Sequence, residues 1–152
     1  MKLRPSSGPS NGGCSSDTNV LFAGASARDE YHDRAREIVR GIDHGELPDA
    51  LITNYVVAET LNLSREKLGA GPANQMLDRL IEGAHFEIVH APKADFNAAQ
   101  ALFRRYNELS FVDATLVAYL EREDIEYLYS FDDDFDAING LKRLDTSDNP
   151  FS

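Results

Sequence analysis

The chain has 152 residues, of which 42% are hydrophobic and 27% are charged, and its formal net charge at pH 7 is −11. This length predicts one domain with a buried core, and no apolar stretch is long enough to cross a membrane. The excess of acids disfavours long-range attraction to nucleic acid. The single cysteine, Cys14, excludes an internal disulfide, and the N-terminus lacks the apolar segment of a secretory signal, so the expected compartment is the cytoplasm.

Two explanations of the acidic composition stay open at this point. Arg supplies 11 of the 15 basic residues, and such a Lys-poor acidic surface suits a salt-rich cytoplasm, where the Debye length falls to about 3 Å at 1 M salt. The other explanation is cation binding, which requires carboxylates to cluster. The positions of the acids in the fold, rather than their number, distinguish the two.

The chain begins with a low-complexity segment, residues 1–16, which is rich in Ser, Gly and Pro and is expected to be flexible. The folded domain is expected to span residues 17–149. A buried first strand would place β-branched residues before Asp17, but Gly12 to Ser16 contains only Gly, Cys and Ser. Any strand here is therefore expected to be short and weak.

Helical and strand patterns alternate along the rest of the chain. Apolar residues at helical spacing, bounded by Gly and Pro, predict helices at residues 30–42, 55–68, 73–82, 92–106 and 110–123. Short apolar runs predict strands at residues 50–53, 86–89, 127–130 and 141–144. This alternation predicts a three-layer α/β/α domain with a central parallel sheet of about five strands.

Four acids fall at predicted strand ends or near the starts of helices: Asp17, Glu59, Asp113 and Asp132. Ligands of open parallel sheets bind in the crevice outside the carboxyl ends of the strands, so these acids are expected to share one pocket. Each also has a simpler explanation. Asp17 fits a residue that caps the next turn, Glu59 a paired surface acid, and Asp132 a solvated loop.

Asp113 interrupts a helix that is apolar on nearly every side. Burying an unpaired carboxylate costs several kcal/mol, so this residue needs a partner. Ser110 and Asp113 have the spacing of a capping box in which Asp replaces Glu or Gln. A cap holds the carboxylate at the helix N-terminus, which is also where a pocket at the strand ends requires it, so the two interpretations are compatible.

Carboxylates crowded into one pocket raise each other's pKa values unless a cation neutralises them. Carboxylate and water ligands suit hard cations, so Mg²⁺ or Mn²⁺ is the expected metal. The predicted metal ligands are Asp17, Glu59, Asp113 and an acid of the last loop, and whether Asp132 or Asp134 of that loop points into the pocket stays open at this point. The four histidines have no zinc-ligand spacing.

A family resemblance is carried by Asp17-Thr18-Asn19-Val20-Leu21, Val57-Ala58-Glu59-Thr60-Leu61, Ser110-Phe111-Val112-Asp113-Ala114 and Leu128-Tyr129-Ser130-Phe131-Asp132-Asp133-Asp134-Phe135. In order, spacing and placement, these segments resemble the PIN-domain family, and within it the small VapC-type ribonuclease toxins of toxin–antitoxin pairs. The likeness covers about residues 17–145. It implies a five-stranded parallel sheet between helices and metal-dependent cleavage of RNA.

The resemblance also implies roles for individual residues. It assigns metal binding and catalysis to Asp17, Glu59, Asp113 and the acid after the fourth strand, here Asp132. Small polar pocket residues of the family correspond to Thr18, Asn19 and Ser130, and Asp134 corresponds to a frequent extra acid of that loop. Which of Asp132 and Asp134 is the main fourth acid stays open. The polar segment before Asp17 departs from the family pattern, in which an apolar strand is usual.

The expected function is therefore a Mg²⁺- or Mn²⁺-dependent ribonuclease that cleaves single-stranded or loop RNA, with a small antitoxin protein and a second copy of the chain as partners. Candidate contacts to the RNA backbone are Arg28, Arg104, Arg105, Lys142 and Arg143. The alternative is a catalytically inactive PIN-like binding module. A phospho-acceptor domain fits poorly, because no acid neighbours Asp17 and Lys142 lies too far along the chain.

Overall fold

A computed structural model describes residues 13–152. Its sheet has five parallel strands in the order β3-β2-β1-β4-β5, which are β1 (Gly13–Ser16), β2 (Asp49–Thr53), β3 (Phe86–Val89), β4 (Tyr127–Tyr129) and β5 (Lys142–Leu144). The helices are α1 (Thr18–Ala25), α2 (His32–Asp43), α3 (Asn54–Leu68), α4 (Ala70–Glu82), α5 (Lys93–Arg105) and α6 (Phe111–Arg122). A short 3₁₀ helix (Asp133–Ala137) follows β4. The predicted three-layer α/β/α class is confirmed.

The central strand, β1, consists of the polar residues that precede Asp17. Cys14, Ser15 and Ser16 are completely buried. The Ser15 hydroxyl donates a hydrogen bond of 2.6 Å to the carbonyl oxygen of Leu51 in β2, so its polar group is satisfied inside the sheet. Burial raises the pKa of the Cys14 thiol to about 12, and this side chain therefore behaves as a small neutral residue.

The start of the folded part lies earlier than predicted. Residues 13–16 belong to β1 rather than to a flexible tail that ends at residue 16. The strand is short, as expected, but small side chains with internal hydrogen bonds take the place of the β-branched residues on which the prediction relied. The remainder of the predicted tail, residues 1–12, lies outside the described residues.

Most predicted elements lie within three residues of the observed ones, with two instructive differences. Helix α4 begins at Ala70 rather than at residue 73. Gly69, with a φ of 99°, separates α3 from α4, and Pro72 is tolerated because it lies in the first turn of α4. Helix α3 is capped by Thr53, whose hydroxyl accepts from the Val56 amide at 3.3 Å. The predicted cap, Asn54, instead accepts a hydrogen bond from the Ala91 amide.

The core lies on both faces of the sheet, and α6 is its most buried helix, with every residue from Ala114 to Leu120 buried. Helix α5 packs on α6, α1 on α2, and α3 on α4. Within residues 13–152, no helix combines the length and the apolar character that crossing a bilayer requires.

An ion pair joins α5 to α6. Asp95 is 2% exposed, and its two carboxylate oxygens accept from Arg122 Nε at 2.7 Å and Nη2 at 3.1 Å. The Arg122 side chain is 39% exposed, so only the acid is fully desolvated. Removing the arginine would leave a buried carboxylate without its counter-ion, which costs more than the pair itself contributes.

We therefore expect Arg122→Ala to lower the free energy of unfolding by about 3 kcal/mol, measured by urea denaturation. Arg34→Ala is the matched control, because Arg34 lies 3.9 Å from Asp145 and both side chains are about half exposed. An exposed pair of this kind contributes about 0–1 kcal/mol. Equal effects of the two substitutions would contradict the assignment of a buried pair.

Candidate active site

Asp17 lies at the carboxyl end of the central strand and is 2% exposed. It is also the N-cap of α1, where its Oδ1 accepts from the Val20 amide at 3.0 Å. Its Oδ2 accepts from the Ser130 hydroxyl at 2.6 Å. The capping role considered for this residue is therefore present, and it fixes the carboxylate at the edge of the sheet where the predicted pocket lies.

Ser130 connects Asp17 to the acidic residues after β4. Its hydroxyl donates to Asp17 and accepts from the Asp132 amide at 2.9 Å. Asp132 Oδ1 in turn accepts a hydrogen bond from the Asp134 amide at 2.9 Å. Asp132 is thereby the N-cap of the 3₁₀ helix. A continuous series of hydrogen bonds thus sets the position of this turn relative to the central strand.

Asp113 lies in the first turn of α6, at the same edge of the sheet. Ser110 is the N-cap of this helix, and its hydroxyl accepts from the Asp113 amide at 3.0 Å. The N-cap half of the predicted capping box is therefore present. The Asp113 side chain is half-buried and lines a cleft, so the cap and the pocket coexist as expected.

Three of the four predicted acids share this cleft. Its volume is about 330 Å³, and its lining residues are Asp17, Thr18, Asn19, Glu59, Leu63, Ser110 and Asp113. The fourth acid, Asp132, lines an adjoining cleft of about 480 Å³, and Asn19 lines both. The structure therefore gathers Asp17, Glu59 and Asp113 in one cleft, here called the acidic cleft, and places Asp132 on its neighbour.

Electrostatic coupling joins the four acids. The pKa of Asp17 is raised to about 6, mainly by burial; its hydrogen bonds from Ser130 and the Val20 amide oppose the rise, and the negative charges of Asp132 and Glu59 add to it. The pKa of Asp113 is raised to about 7, mainly by burial and then by the charge of Asp17; the hydrogen bond with Ser110 opposes the rise, and the charges of Glu59 and Asp132 add smaller increases. Two carboxyls thus titrate near neutral pH because they are desolvated among like charges.

The groups that line the acidic cleft suit a hard cation. Acidic residues from three separate elements line it, and Thr18, which also lines it, has a buried hydroxyl without a hydrogen-bond partner among the described residues. An unpaired buried hydroxyl needs a ligand or water, and an all-oxygen donor set matches Mg²⁺ or Mn²⁺. The residues present therefore fit the predicted metal.

A second acidic group lies on the turn after β4. One carboxylate oxygen from each of Asp132, Asp133 and Asp134 lies within 4.8 Å of the other two. Asp133 is not among the site residues predicted from the sequence. A hydrogen bond with Asp132 is the main cause that raises the pKa of Asp134. These neighbours in sequence are largely solvated, and such proximity is common on surfaces without a metal.

None of the predicted RNA contacts is among the residues that line either cleft. Arg28, Arg104 and Arg105 are exposed, and none of the three lines either cleft. Arg143 is engaged within the protein: its side chain is 18% exposed, and its Nε and Nη2 donate to Asp136 at 2.9 and 3.1 Å. The roles of these arginines in RNA binding stay predictions.

Several residues beside the site carry no sequence signal of their own. The cleft that Asp132 lines also contains Asp29, Glu30, Tyr31 and Phe131. Tyr31 belongs to an ordinary amphipathic pattern, and Phe131 stands among acids. Only the fold brings them together, because they lie on loops that are far apart in the chain.

The fold and the site define a parallel α/β domain with acids gathered at the carboxyl edge of its sheet. The sequence pattern of the PIN domain matches residues 16–141, so the chain belongs to the PIN domain family. This match includes Asp17, Glu59, Asp113 and Asp132, and it stops just before β5.

Two curated relatives are named ribonucleases: VapC13 of Mycobacterium tuberculosis and the VapC ribonuclease Mb1869c of Mycobacterium bovis. Each is 38% identical over 64 residues, which is 42% of this chain and 49% of the relative. The matched part thus spans about half the length of these relatives. Among solved structures, VapC20 of M. tuberculosis, described as a Sarcin-Ricin loop cleaving toxin, has a TM-score of 0.71 at 25% identity, covering 82% of this chain and 93% of that one.

The raised pKa values predict how stability changes with pH when no divalent metal is present. The folded-state values of about 6 and 7 exceed the ordinary value of 3.8, so the folded state binds more protons than the unfolded state between about pH 4 and pH 7. The stability contributed by these two groups is therefore present at low pH and is lost as pH rises through that window.

Asp113→Asn removes one of these charges. In EDTA at pH 8, we expect this variant to exceed the parent in free energy of unfolding by roughly 1–3 kcal/mol, and the difference to vanish near pH 4. Urea denaturation across this pH range measures it. Asp78→Asn, at an exposed position of α4, is the control and should show no such pH-dependent difference. A variant less stable than the parent at pH 8 would contradict the desolvation of Asp113.

Proposed function

We propose that this protein is a divalent-metal-dependent endoribonuclease of the PIN family and the toxin of a toxin–antitoxin pair. The observation that carries the proposal is the acidic cleft, where Asp17, Glu59 and Asp113 converge beside the unpaired hydroxyl of Thr18. The names of the curated relatives and of VapC20 support the same activity. The proposed compartment is the cytoplasm.

Asp17, Glu59 and Asp113 would hold Mg²⁺ or Mn²⁺, with Asp132 and Asp134 contributing from the adjoining turn. When bound, such an ion supplies an activated water and stabilises the oxygen that departs from phosphorus. The protein's part is to position the acids. Ser130 and the Val20 amide fix both oxygens of Asp17, and Ser110 fixes the start of the helix that carries Asp113.

The shape of the acidic cleft favours an unpaired RNA segment as substrate. A cleft of about 330 Å³ has the size of a site for one small group, and an unpaired RNA segment can present a single nucleotide to such a site. The exposed amide side chain of Asn19, at the junction of the two clefts, is placed to donate a hydrogen bond to a phosphate oxygen. Single-stranded or loop RNA is therefore the proposed substrate class.

Two protein partners belong to the proposal. The first is a small antitoxin that covers the site, and the second is another copy of the chain, which would form a homodimer. Both rest on membership of the PIN family and its likeness to VapC-type toxins. The fold is shared with a toxin–antitoxin complex from Klebsiella pneumoniae, at 20% identity and a TM-score of 0.61.

One observation favours the alternative, a catalytically inactive PIN-like module. Both carboxylate oxygens of Asp17 are already engaged by Val20 and Ser130, as in a purely structural cap. A carboxylate oxygen has more than one lone pair, so these bonds leave room for a metal. Catalysis decides between the two.

We expect the wild-type protein with Mn²⁺ to cleave a mixed pool of single-stranded RNA, and EDTA to stop the cleavage. Asp113→Asn should reduce the rate by about 100-fold or more, because removing a carboxylate from a metal site weakens both binding and charge stabilisation. Asp78→Asn is the matched control and should keep the wild-type rate. Cleavage that persists unchanged in Asp113→Asn would refute the proposed site, and absence of cleavage by the wild type would favour the inactive module.

A further inference from the structure

The cleft next to the acidic cleft has a separate character. Its volume is about 480 Å³, and its lining residues are Asn19, Asp29, Glu30, Tyr31, Phe131 and Asp132. We call it the aromatic cleft. Asn19 lines both clefts, so the two are adjacent. An RNA strand with one phosphate in the acidic cleft would therefore place a neighbouring nucleotide in the aromatic cleft.

Two stacked rings line the aromatic cleft. The ring centroids of Tyr31 and Phe131 are 4.6 Å apart and their planes differ by 11°. Both side chains are half-buried, although they stand on loops at the ligand-binding edge of the sheet rather than inside the core. The Arg34 guanidinium lies over the Tyr31 ring, 5.8 Å from its centroid, and Arg34 is not among the residues that line the cleft. Because Tyr31 and Phe131 each cover one face of the other ring, a base would contact the parts of this stacked pair that border the cleft. Aromatic rings are the usual surface on which unpaired nucleic-acid bases stack.

The polar groups of the aromatic cleft are mainly hydrogen-bond acceptors. Ionised carboxylates accept and do not donate. Asp29 already uses Oδ1 to accept from the Tyr31 amide at 2.9 Å. Glu30 is exposed, and its carboxylate is the more accessible of the two. A base that binds here must therefore present donors to Glu30.

Guanine matches this requirement better than the other RNA bases. Its Watson–Crick edge carries the N1–H and N2–H₂ donors side by side, and these fit the two oxygens of one carboxylate. Adenine, cytosine and uracil each present a single donor group on that edge. A charge-assisted bidentate contact is stronger than a single neutral one, so the carboxylate selects guanine.

We infer that the aromatic cleft is a base-binding subsite for guanine in the RNA substrate, adjacent to the cleaved phosphodiester. Glu30 accepts from the guanine N1–H and N2–H₂ groups, while Tyr31 and Phe131 pack against the base. The inference rests on the proposed function for its RNA context, but base binding is measurable without catalysis.

The test is an NMR titration of the wild-type protein in the presence of Mg²⁺ with GMP, AMP, CMP and UMP, which share the phosphate, differ in the base and contain no phosphodiester bond to cleave. We expect GMP to bind at least fivefold more tightly than CMP or UMP and to shift the ring signals of Tyr31 and Phe131. Tyr31→Ala should weaken GMP binding about tenfold, and Tyr31→Phe should restore it. Glu30→Gln should abolish the preference for guanine.

Matched controls lie on α3, where Tyr55→Ala changes a half-buried tyrosine and Glu66→Gln an exposed glutamate outside the cleft. Both should bind GMP as the wild type does. Equal affinity for all four nucleotides, or GMP binding unaffected by Tyr31→Ala and Glu30→Gln, would overturn the inference. Signal changes confined to other parts of the protein would overturn it as well.

Mapping of cleavage products separates this inference from the nuclease proposal. With the mixed RNA pool and Mn²⁺, wild-type cuts should concentrate beside guanine and Glu30→Gln cuts should not. RNA cut without base preference by the wild type would uphold the nuclease and refute the subsite. Selective GMP binding by a protein that cuts no RNA would refute the nuclease and uphold a guanine site.

Discussion

The hydrogen bond between Ser130 and Asp17 is the contact on which the rest of the site depends. It joins the ends of two neighbouring strands, and the Asp17 amide adds a 3.3 Å hydrogen bond to the Tyr129 carbonyl. The same Ser130 hydroxyl accepts a hydrogen bond from the Asp132 amide, and this bond positions the turn that carries Asp132 relative to β1. Because the central carboxylate is nearly inaccessible to water, these donors replace the solvation that folding removes.

Folding places like charges together at a cost that other features of the domain partly offset. Asp17 and Asp113 lie at the N-termini of α1 and α6, where the helix dipole favours a negative charge. The helix dipoles do not fully compensate for the loss of solvation, since the pKa values of both carboxyls are still raised. At this edge of the sheet the acids form the cluster that the proposed cation would neutralise, whereas the acids elsewhere on the surface fit general solvation.

Sequence patterns predicted the alternation of strands and helices because helical and strand spacing differ, and they predicted the meeting of the acids because parallel strands share a carboxyl edge. They underestimated β1, since strand propensity says little about Gly-Cys-Ser-Ser when neighbouring strands supply the hydrogen bonds. Helix α1 was not predicted, because the run from Val20 to Ala23 is too short to show a period. The pairing of Tyr31 with Phe131 depends on tertiary contact alone.

The edge strand β5 has a consequence that reaches the central carboxylate. The Ser130 amide donates to the Leu144 carbonyl at 3.0 Å, and Arg143 donates to the Ser130 carbonyl at 3.3 Å, so β5 holds the backbone of Ser130 on both sides. Shortening the protein by roughly a dozen residues at its C-terminus would therefore disturb the serine that orients Asp17 while leaving every acid of the cleft in the chain. Proteolysis within this C-terminal segment is therefore expected to change the acidic cleft from a distance, through the backbone of Ser130.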